Sequence, residues 1–160
     1  KNTIVIMTSN MGSHIIQEKF DTVKDIDSAM EAAKVEVLGL LKQSVRPEFL
    51  TRIDDIIMFT PLTRKDIKKI VGLQLKGVTK MLAKQHITLD ATDEAIEYLS
   101  KRGFDPQYGA RPVKRVIQKE VLNNLSKEIL SGKIRTDSII LLDSFDDNLV
   151  FRNQEDLIST

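Results

Sequence analysis

The stretch Gly103-Phe-Asp-Pro-Gln-Tyr-Gly-Ala-Arg-Pro-Val-Lys-Arg115 predicts a loop that turns directly into a helix. Gly109 suits the turn, and Pro112 favours the first helical turn, where the missing N–H of proline is not needed. Because a helix N-terminus attracts anions, a cluster of cations there is locally unfavourable. A bound polyanion would account for this cluster, and the alternative is a loop held by an ion pair between an arginine and Asp105. The clustered cations are Arg111, Lys114 and Arg115.

Helical signals surround this stretch on both sides. Thr92 is a candidate N-cap for a preceding helix that ends near Gly103, and Thr63 to Asp66 form a capping box that starts a long helix. After Pro112 the apolar side chains recur every fourth residue until Gly132 ends the helix. They are Val113, Ile117, Val121, Leu125 and Ile129.

The rest of the chain predicts strands and one more helical region. Thr3–Met7 and Asp55–Thr60 are apolar or β-branched runs, typical of strands buried on both faces of a parallel sheet. Ser13–Lys19 predicts a short helix, Ser28 to Glu31 predict the capping box of a longer one, and Pro47 ends it. Shorter apolar runs predict one short strand and a hairpin: Ile87–Leu89, Ser138–Leu142 and Leu149–Phe151.

These elements predict an α/β fold in two parts that separate at Pro61-Leu62. Residues 1–62 supply buried strands and helices that lack the other strands of their sheet. Residues 63–152 predict a small α+β domain, and residues 153–160 predict a flexible tail. The chain does not begin with Met, so we expect it to be a piece of a longer protein.

Composition excludes several classes of function. The 160 residues include no cysteine and two histidines, so a thiolate zinc site and a cysteine nucleophile are excluded and a metal site is not expected. No apolar run approaches the roughly 20 residues of a membrane helix. The motifs G-x-x-x-x-G-K-[ST] and an acidic pair at a strand end are also absent. The net charge is +1, but residues 64–135 hold 16 basic and 8 acidic side chains. This excess suggests an anion or a partner surface near the middle, and charge alone favours the alternative of a solvated helix face.

Two further polar groups are candidate site residues. Asn10 comes just after the first predicted strand, where an amide can orient a water against a phosphate. Taken alone, the residue is more typical of an ordinary turn asparagine with an Asx bond. Arg46 and Arg52 precede the second predicted strand. Guanidinium groups suit phosphate binding and charge stabilisation in phosphoryl transfer, and the alternative is a salt bridge to a nearby carboxylate such as Asp54.

Taken in order, three motifs resemble the Clp/HSP100 family of AAA+ ATPases, most closely the C-terminal part of the second ATPase module of ClpB-type disaggregases. They are Ile4-Val-Ile-Met-Thr-Ser-Asn10, Arg46-Pro-Glu-Phe-Leu-Thr-Arg52-Ile-Asp54 and the stretch Gly103–Arg115. The resemblance covers residues 1–143. Family members commonly carry Asn where Thr51 stands and Leu where Val113 stands, and neither difference affects a charged position.

The resemblance implies roles for particular residues. Asn10 matches sensor 1, which positions the attacking water, and Arg52 matches the arginine finger, which reaches the nucleotide of the adjacent subunit. Arg111 matches sensor 2, which contacts the phosphates from the lid. Ile70 and Gln74 fall on the lid helix that lies near the adenine. Residues 1–62 are then part of the AAA+ large domain, and residues 63–152 are the small, or lid, domain.

The resemblance also implies cofactors and partners. The whole protein would use ATP and Mg²⁺ and form a hexameric homo-oligomer. It would act on unfolded or aggregated polypeptides in the cytoplasm, with a co-chaperone as a further partner. Neither a nucleic acid nor a membrane is implied. Because Walker A and Walker B are absent, we expect this chain alone not to turn over ATP. The alternatives are the same module of a Clp protease-partner unfoldase, a basic nucleic-acid-binding module and an oligomerisation module.

Overall fold

A computed structural model describes residues 2–105 and 108–154, and the chain divides into two compact units between Pro61 and Leu62. The first unit contains α1 (Ser13–Thr22), α2 (Ile26–Ser44) and α3 (Pro47–Leu50). The second contains α4 (Arg64–Ala83), β1 (Leu89–Ala91), α5 (Asp93–Gly103), α6 (Pro112–Val116), a π-helical turn (Ile117–Leu122), α7 (Asn123–Leu130), β2 (Ile140–Phe145) and β3 (Asn148–Asn153). The predicted class, helices with a small sheet in an α/β arrangement, is confirmed.

In the first unit α1 packs against α2 through a glycine contact. Gly12 has φ 74° and is buried, and a Cβ on it would lie 2.8 Å from Val37 Cγ2. The predicted capping box at Ser28 is wrong. Asp25 caps α2 instead, because its carboxylate accepts a hydrogen bond from the Ser28 backbone N–H at 2.8 Å. The helix therefore begins at Ile26, before the predicted cap.

The two predicted buried strands of the first unit are also wrong. Thr3–Met7 and Asp55–Thr60 form no strand, and Ile4 is 88% and Phe59 82% exposed. A strand needs neighbouring backbone to satisfy its N–H and C=O groups, and no described residue of the first unit supplies any. An apolar, β-branched composition alone therefore does not make either run a strand.

The second unit starts as the sequence predicts. At the capping box Thr63 Oγ1 accepts from Asp66 N at 3.2 Å, and Thr63 N donates to Asp66 Oδ2 at 3.0 Å. At α5 Thr92 Oγ1 accepts from Ala95 N at 3.1 Å and also donates to Asp143 Oδ1 at 2.9 Å. This second bond ties the start of α5 to β2.

α4 and α5 pack against a three-stranded sheet with strand order β1-β2-β3, and α6 and α7 contribute side chains to the same hydrophobic core. β1 runs parallel to β2, with Leu89 opposite Ile140, and β2 runs antiparallel to β3. The short strand lies two residues later than predicted, and the predicted hairpin is confirmed with longer strands. The core members buried below 2% exposure include Ile67, Leu99, Leu125, Ile140 and Leu142.

Asn153 corrects the predicted start of the flexible tail, because it ends β3 and is only 2% exposed. Its side chain accepts from Arg135 N at 3.0 Å, and it donates to Arg135 O at 2.8 Å and to Ser138 Oγ at 2.7 Å. The amide therefore fastens the loop before β2 to the end of β3. Residues 155–160, the rest of the predicted tail, lie outside the described residues.

The helix after Pro112 is continuous from α6 through the π-helical turn to α7. Four residues advance an α-helix by about 400°, so five side chains spaced by four would drift about 160° around it. Bonding from i to i+5 winds the π-helical turn less tightly and corrects this drift. Four of the five predicted side chains are consequently buried, namely Val113, Ile117, Val121 and Leu125, and Ile129 is partly buried. Among the described residues, no helix combines the length and the apolar character needed to cross a bilayer.

Candidate functional site

The loop before α6 is a closed turn that ends in Arg111. Asp105 N donates to Gly109 O at 3.0 Å, and Gly109 N donates to Asp105 O at 2.7 Å. Asp105 Oδ1 also accepts from Tyr108 N at 2.9 Å. Gly109 has φ 62°, a conformation that favours glycine. Pro106 and Gln107 lie outside the described residues, but the bonds around them fix where the chain enters the helix.

A close backbone approach holds this loop against the core. A Cβ built on Gly103 would lie 2.8 Å from Val113 Cγ2 and 3.2 Å from Val113 Cα. Both residues are buried, at the end of α5 and the start of α6 respectively. Sequence reasoning used Gly103 only as a helix stop. The signal for its packing role was the valine that follows Pro112, which starts the buried stripe of the next helix.

Arg111 occupies the N-cap position of α6 and is exposed. The predicted cation cluster is present, since Lys114 and Arg115 are also exposed and the first turn carries no acidic residue. Within the described part of the chain, no ion pair involves any of the three. Three uncompensated cations at the start of a helix favour an anionic ligand over a purely structural role.

Ile70 and Gln74 lie one helical turn apart on α4. Ile70 is partly buried and packs against the core, whereas Gln74 is exposed. Because residues four apart share a helix face, the pair offers an apolar contact next to an amide. Such a face can bind a planar heteroaromatic ring, with the apolar side chain against the ring and the amide at its polar edge. The face lies in the same unit as Arg111.

Asn10 lies in the first unit, at the last residue before the turn into α1. Its backbone carbonyl accepts from Ser13 N at 3.2 Å, and its side chain is exposed with no hydrogen bond to another described residue. The Asx bond of an ordinary turn asparagine is therefore absent here. Gly12, the N-cap of α1, has a left-handed backbone conformation with φ 74° and connects the segment that contains Asn10 to the helix.

Arg52 follows the short helix α3 in the same unit. Thr51 Oγ1 donates to Glu48 O at 3.1 Å, and Arg52 N donates to Phe49 O at 3.1 Å, so the backbone around the arginine is fixed. The side chain is exposed. No ion pair between described residues includes Arg52 or Arg46, so the predicted alternative of a salt bridge to a nearby carboxylate is not found.

A cleft of about 200 Å³ lies between α4 and α5, and sequence reasoning missed it. Its apolar lining includes Ile67 and Phe104. Its polar lining includes Glu97, which pairs with Lys68 and whose Oε1 lies 3.2 Å from Arg64 Nη2. The Lys68 hydrogen bond holds the pKa of Glu97 below its usual range, and burial opposes this. The signal for this pairing was the basic start of α4 facing the single carboxylate in the middle of α5.

The residues fit phosphate better than metal. Exposed guanidinium groups at Arg52 and Arg111 suit an oxyanion. Among residues 2–105 and 108–154, no group of three His, Asp or Glu side chains is arranged to hold a metal ion.

Two family models match the chain, one on each unit. Residues 1–56 match the AAA domain (Cdc48 subfamily). Residues 62–142, half of the chain, match the C-terminal, D2-small domain of ClpB protein. The boundary between the two matches falls at the same place as the boundary between the two compact units.

Curated relatives agree with these matches. The chaperone protein ClpB of Bacteroides thetaiotaomicron is 52% identical over 96% of this chain, and that of Porphyromonas gingivalis is 47% identical over 96%. The probable chaperone protein ClpB 1 of Chlorobaculum tepidum is 44% identical, again over 96%. The chain spans 18%, 18% and 36% of the length of these three relatives. The chain belongs to the ClpB family of AAA+ chaperones.

Proposed function

We propose that this chain is the C-terminal part of the second ATPase module of a ClpB-type disaggregase, in which it completes the ATP site and couples hydrolysis to polypeptide threading. One observation carries the proposal. The match to the ClpB D2-small domain runs through residues 62–142 and includes the closed loop that presents Arg111, which forms no ion pair with any described residue. The alternative of a protease-partner unfoldase is not favoured, because these relatives are named ClpB.

Arg52 is the arginine finger in this proposal. A guanidinium that stabilises charge in the transition state of phosphoryl transfer must be unpaired and anchored on rigid backbone. Arg52 meets both conditions, since its side chain is exposed and the turn after α3 fixes its backbone. A finger acts on the nucleotide of the adjacent subunit, so the protein assembles head to tail in a closed hexameric ring.

Arg111 is the sensor 2 residue and Asn10 the sensor 1 residue. Residues 63–152 act as a lid that joins the large domain of residues 1–62 at Pro61-Leu62. Arg111 contacts the phosphates from this lid, Ile70 and Gln74 lie against the adenine, and Asn10 orients the attacking water. A change in nucleotide state then changes the angle of the lid, and this motion drives the client polypeptide through the ring.

ATP with Mg²⁺ is the cofactor of the whole protein, and unfolded or aggregated polypeptides are its clients in the cytoplasm, with a co-chaperone as a further partner. In this proposal Arg52 and Arg111 each add a contact to the phosphates, and among the described residues no group of three His, Asp or Glu side chains is arranged to hold a metal ion. Walker A and Walker B motifs are absent from this sequence. The chain by itself therefore binds nucleotide weakly and does not turn it over.

The test of Arg52 uses the intact protein. Arg52→Ala is expected to lower ATP turnover by about 10³–10⁵-fold while nucleotide affinity and ring assembly are retained. Lys42→Ala removes an exposed cation from the same unit and serves as the matched control, with turnover unchanged. Near-normal turnover by an assembled Arg52→Ala ring would refute the finger assignment.

A second measurement tests the chain alone. Titration of the purified 160-residue chain with a fluorescent ATP analogue is expected to give no saturation in the micromolar range. Micromolar binding would contradict the proposal, because the sequence lacks the Walker A loop that would hold the phosphates. Arg111→Ala in the intact protein is expected to weaken hydrolysis, with Arg135→Ala in the same unit as the control.

A further inference from the structure

The cations of α4 divide into two sets that differ in pairing. Arg64 and Lys68 both pair with Glu97 on α5. The second set has no ion pair among the described residues and is exposed throughout; it comprises Lys65, Lys69, Lys76 and Lys80. At 100° per residue these four lie within about 60° of each other on the helix. We call this set the lysine stripe.

The lysine stripe faces away from the core and has an exposed leucine at its edge. The buried residues of α4, such as Val71 and Leu75, lie on the opposite side of the helix. Leu73 lies beside the stripe, between Lys69 and Lys76, and is 65% exposed. A Cβ on Gly72 or Gly77 would meet no atom within 4 Å, so the space around Leu73 is open. The surface therefore presents a cation, an apolar side chain and a second cation in succession.

The same unit carries a segment with the complementary pattern. The tip of the β2–β3 hairpin presents Phe145, which is 67% exposed, followed by Asp146 and Asp147. Both aspartates have positive φ, 51° and 54°, so the turn is a tight one that projects its side chains from the end of the sheet. Asp147 has one distant partner, Arg102 Nη2 at 4.0 Å, and its side chain is 87% exposed.

Within one copy of the chain, the hairpin tip and the lysine stripe do not pair with each other among the described residues. No ion pair between described residues joins the hairpin tip to α4, and the stripe lies on the side of α4 opposite its buried face. Charge is also segregated along the sequence, since residues 136–160 hold 1 basic and 6 acidic side chains. Opposite charges on separate surfaces of one chain favour a head-to-tail contact between copies.

We propose that the lysine stripe of one copy binds the hairpin tip of a second copy, with Phe145 against Leu73 and the two aspartates between Lys69 and Lys76. A nucleic acid is the less suitable occupant. The stripe carries no aromatic side chain for base stacking and no arginine for bidentate phosphate contacts. The inference goes beyond the proposed function, because it requires neither nucleotide nor Arg52.

Cross-linking of the full chain tests the contact. The sequence contains no cysteine, so a Gly77→Cys chain mixed with an Asn148→Cys chain gives one defined site on each surface. A short bismaleimide is expected to join the two variants. Ser131→Cys, exposed after α7, replaces Gly77→Cys in the control pair and is expected to give little product. Equal yields from both pairs would overturn the proposal.

Charge reversal supplies the decisive comparison. Lys69→Glu with Lys76→Glu in the Gly77→Cys chain is expected to lower the cross-linked fraction about tenfold, and salt is expected to lower the wild-type fraction similarly. Lys24→Glu with Lys127→Glu is the charge-matched control and leaves the fraction unchanged. A stripe reversal without effect would overturn the proposal.

A charge swap and a competitor complete the design. Asp147→Lys in the Asn148→Cys chain is expected to lower the yield against the wild-type stripe and to restore it against Lys76→Glu. Failure of this rescue, in variants whose melting temperatures match their parents, would overturn the pairing. A 20-base-pair duplex that abolishes the cross-link at micromolar concentration would assign the stripe to nucleic acid instead.

Discussion

The contact between Gly103 and Val113 makes a quantitative prediction about the loop that carries Arg111. A methyl group at position 103 would lie 2.8 Å from Val113 Cγ2 and 3.2 Å from Val113 Cα. Rotating the valine side chain does not relieve the second contact, so the backbone itself must move. Overpacking of a core costs about 1–3 kcal/mol. Alanine offsets part of this at the end of a helix, by up to about 1 kcal/mol.

Gly103→Ala is therefore expected to lower the free energy of unfolding by roughly 1–2 kcal/mol. For a unit of this size the melting temperature falls by about 4–8 °C for each kcal/mol. Urea denaturation of the full chain, followed by circular dichroism, measures the change. Gly72→Ala is the matched control, because its Cβ meets nothing within 4 Å. That substitution is expected to stabilise the chain by about 0.5–1 kcal/mol.

A double-mutant cycle then tests the cause. Val113→Ala alone removes two buried carbons and is expected to cost about 1–3 kcal/mol. In the double variant the new methyl fills part of the space that the valine leaves. The combined cost is therefore expected to be smaller than the sum of the single costs by about 1 kcal/mol. Additive costs would refute the steric explanation.

The remaining predictions concern other parts of the chain. Asn153→Asp, which turns the two N–H donors into an acceptor facing the Arg135 carbonyl, is expected to cost about 1–3 kcal/mol in thermal unfolding, and a wild-type melting temperature would contradict this. The hydrogen bond from Thr63 holds the pKa of Asp66 below its usual 3.8. Its contribution to stability is thus present above pH 3.8 and is lost as pH falls through the lower folded pKa. Asp66→Asn should flatten the low-pH limb of a stability profile, and an unchanged limb would count against the linkage. Arg111→Ala is expected to change the stability of the chain by less than about 0.5 kcal/mol, because the side chain is exposed; a larger loss on urea denaturation would indicate a structural role.

Local side-chain chemistry is what the sequence predicts best. The cap at Thr92 and the capping box at Thr63 were predictable because donor and acceptor lie within three residues of each other. The Ser28 prediction failed within the same logic, since Asp25 competes for the same backbone N–H and carries a full charge. The four-residue spacing after Pro112 predicted the buried stripe but not the π-helical turn that keeps it on one face.

Non-local pairing is what the sequence does not supply. Thr3–Met7 has the composition of a buried strand, yet its structure depends on backbone partners that a composition does not specify. The candidate site shows the same division. The exposure of Arg52 and Arg111 follows from the turns beside them. That neither forms an ion pair with a described residue depends on where distant carboxylates lie. The contact between Gly103 and Val113 likewise required coordinates.

The π-helical turn means that the helix after Pro112 contains one surplus residue. If one residue were removed between Ile117 and Val121, the apolar positions would follow a 4-3-4-4 spacing, which a regular α-helix keeps within about 80°. A regular α-helix, shorter by about 1.5 Å, would then place the same side chains in the core. Gene comparison should accordingly find this point to be where relatives gain or lose a single codon without disturbing either flank. In that case the distance between the loop that presents Arg111 and the β2–β3 hairpin would differ among relatives by about the length of one helical residue.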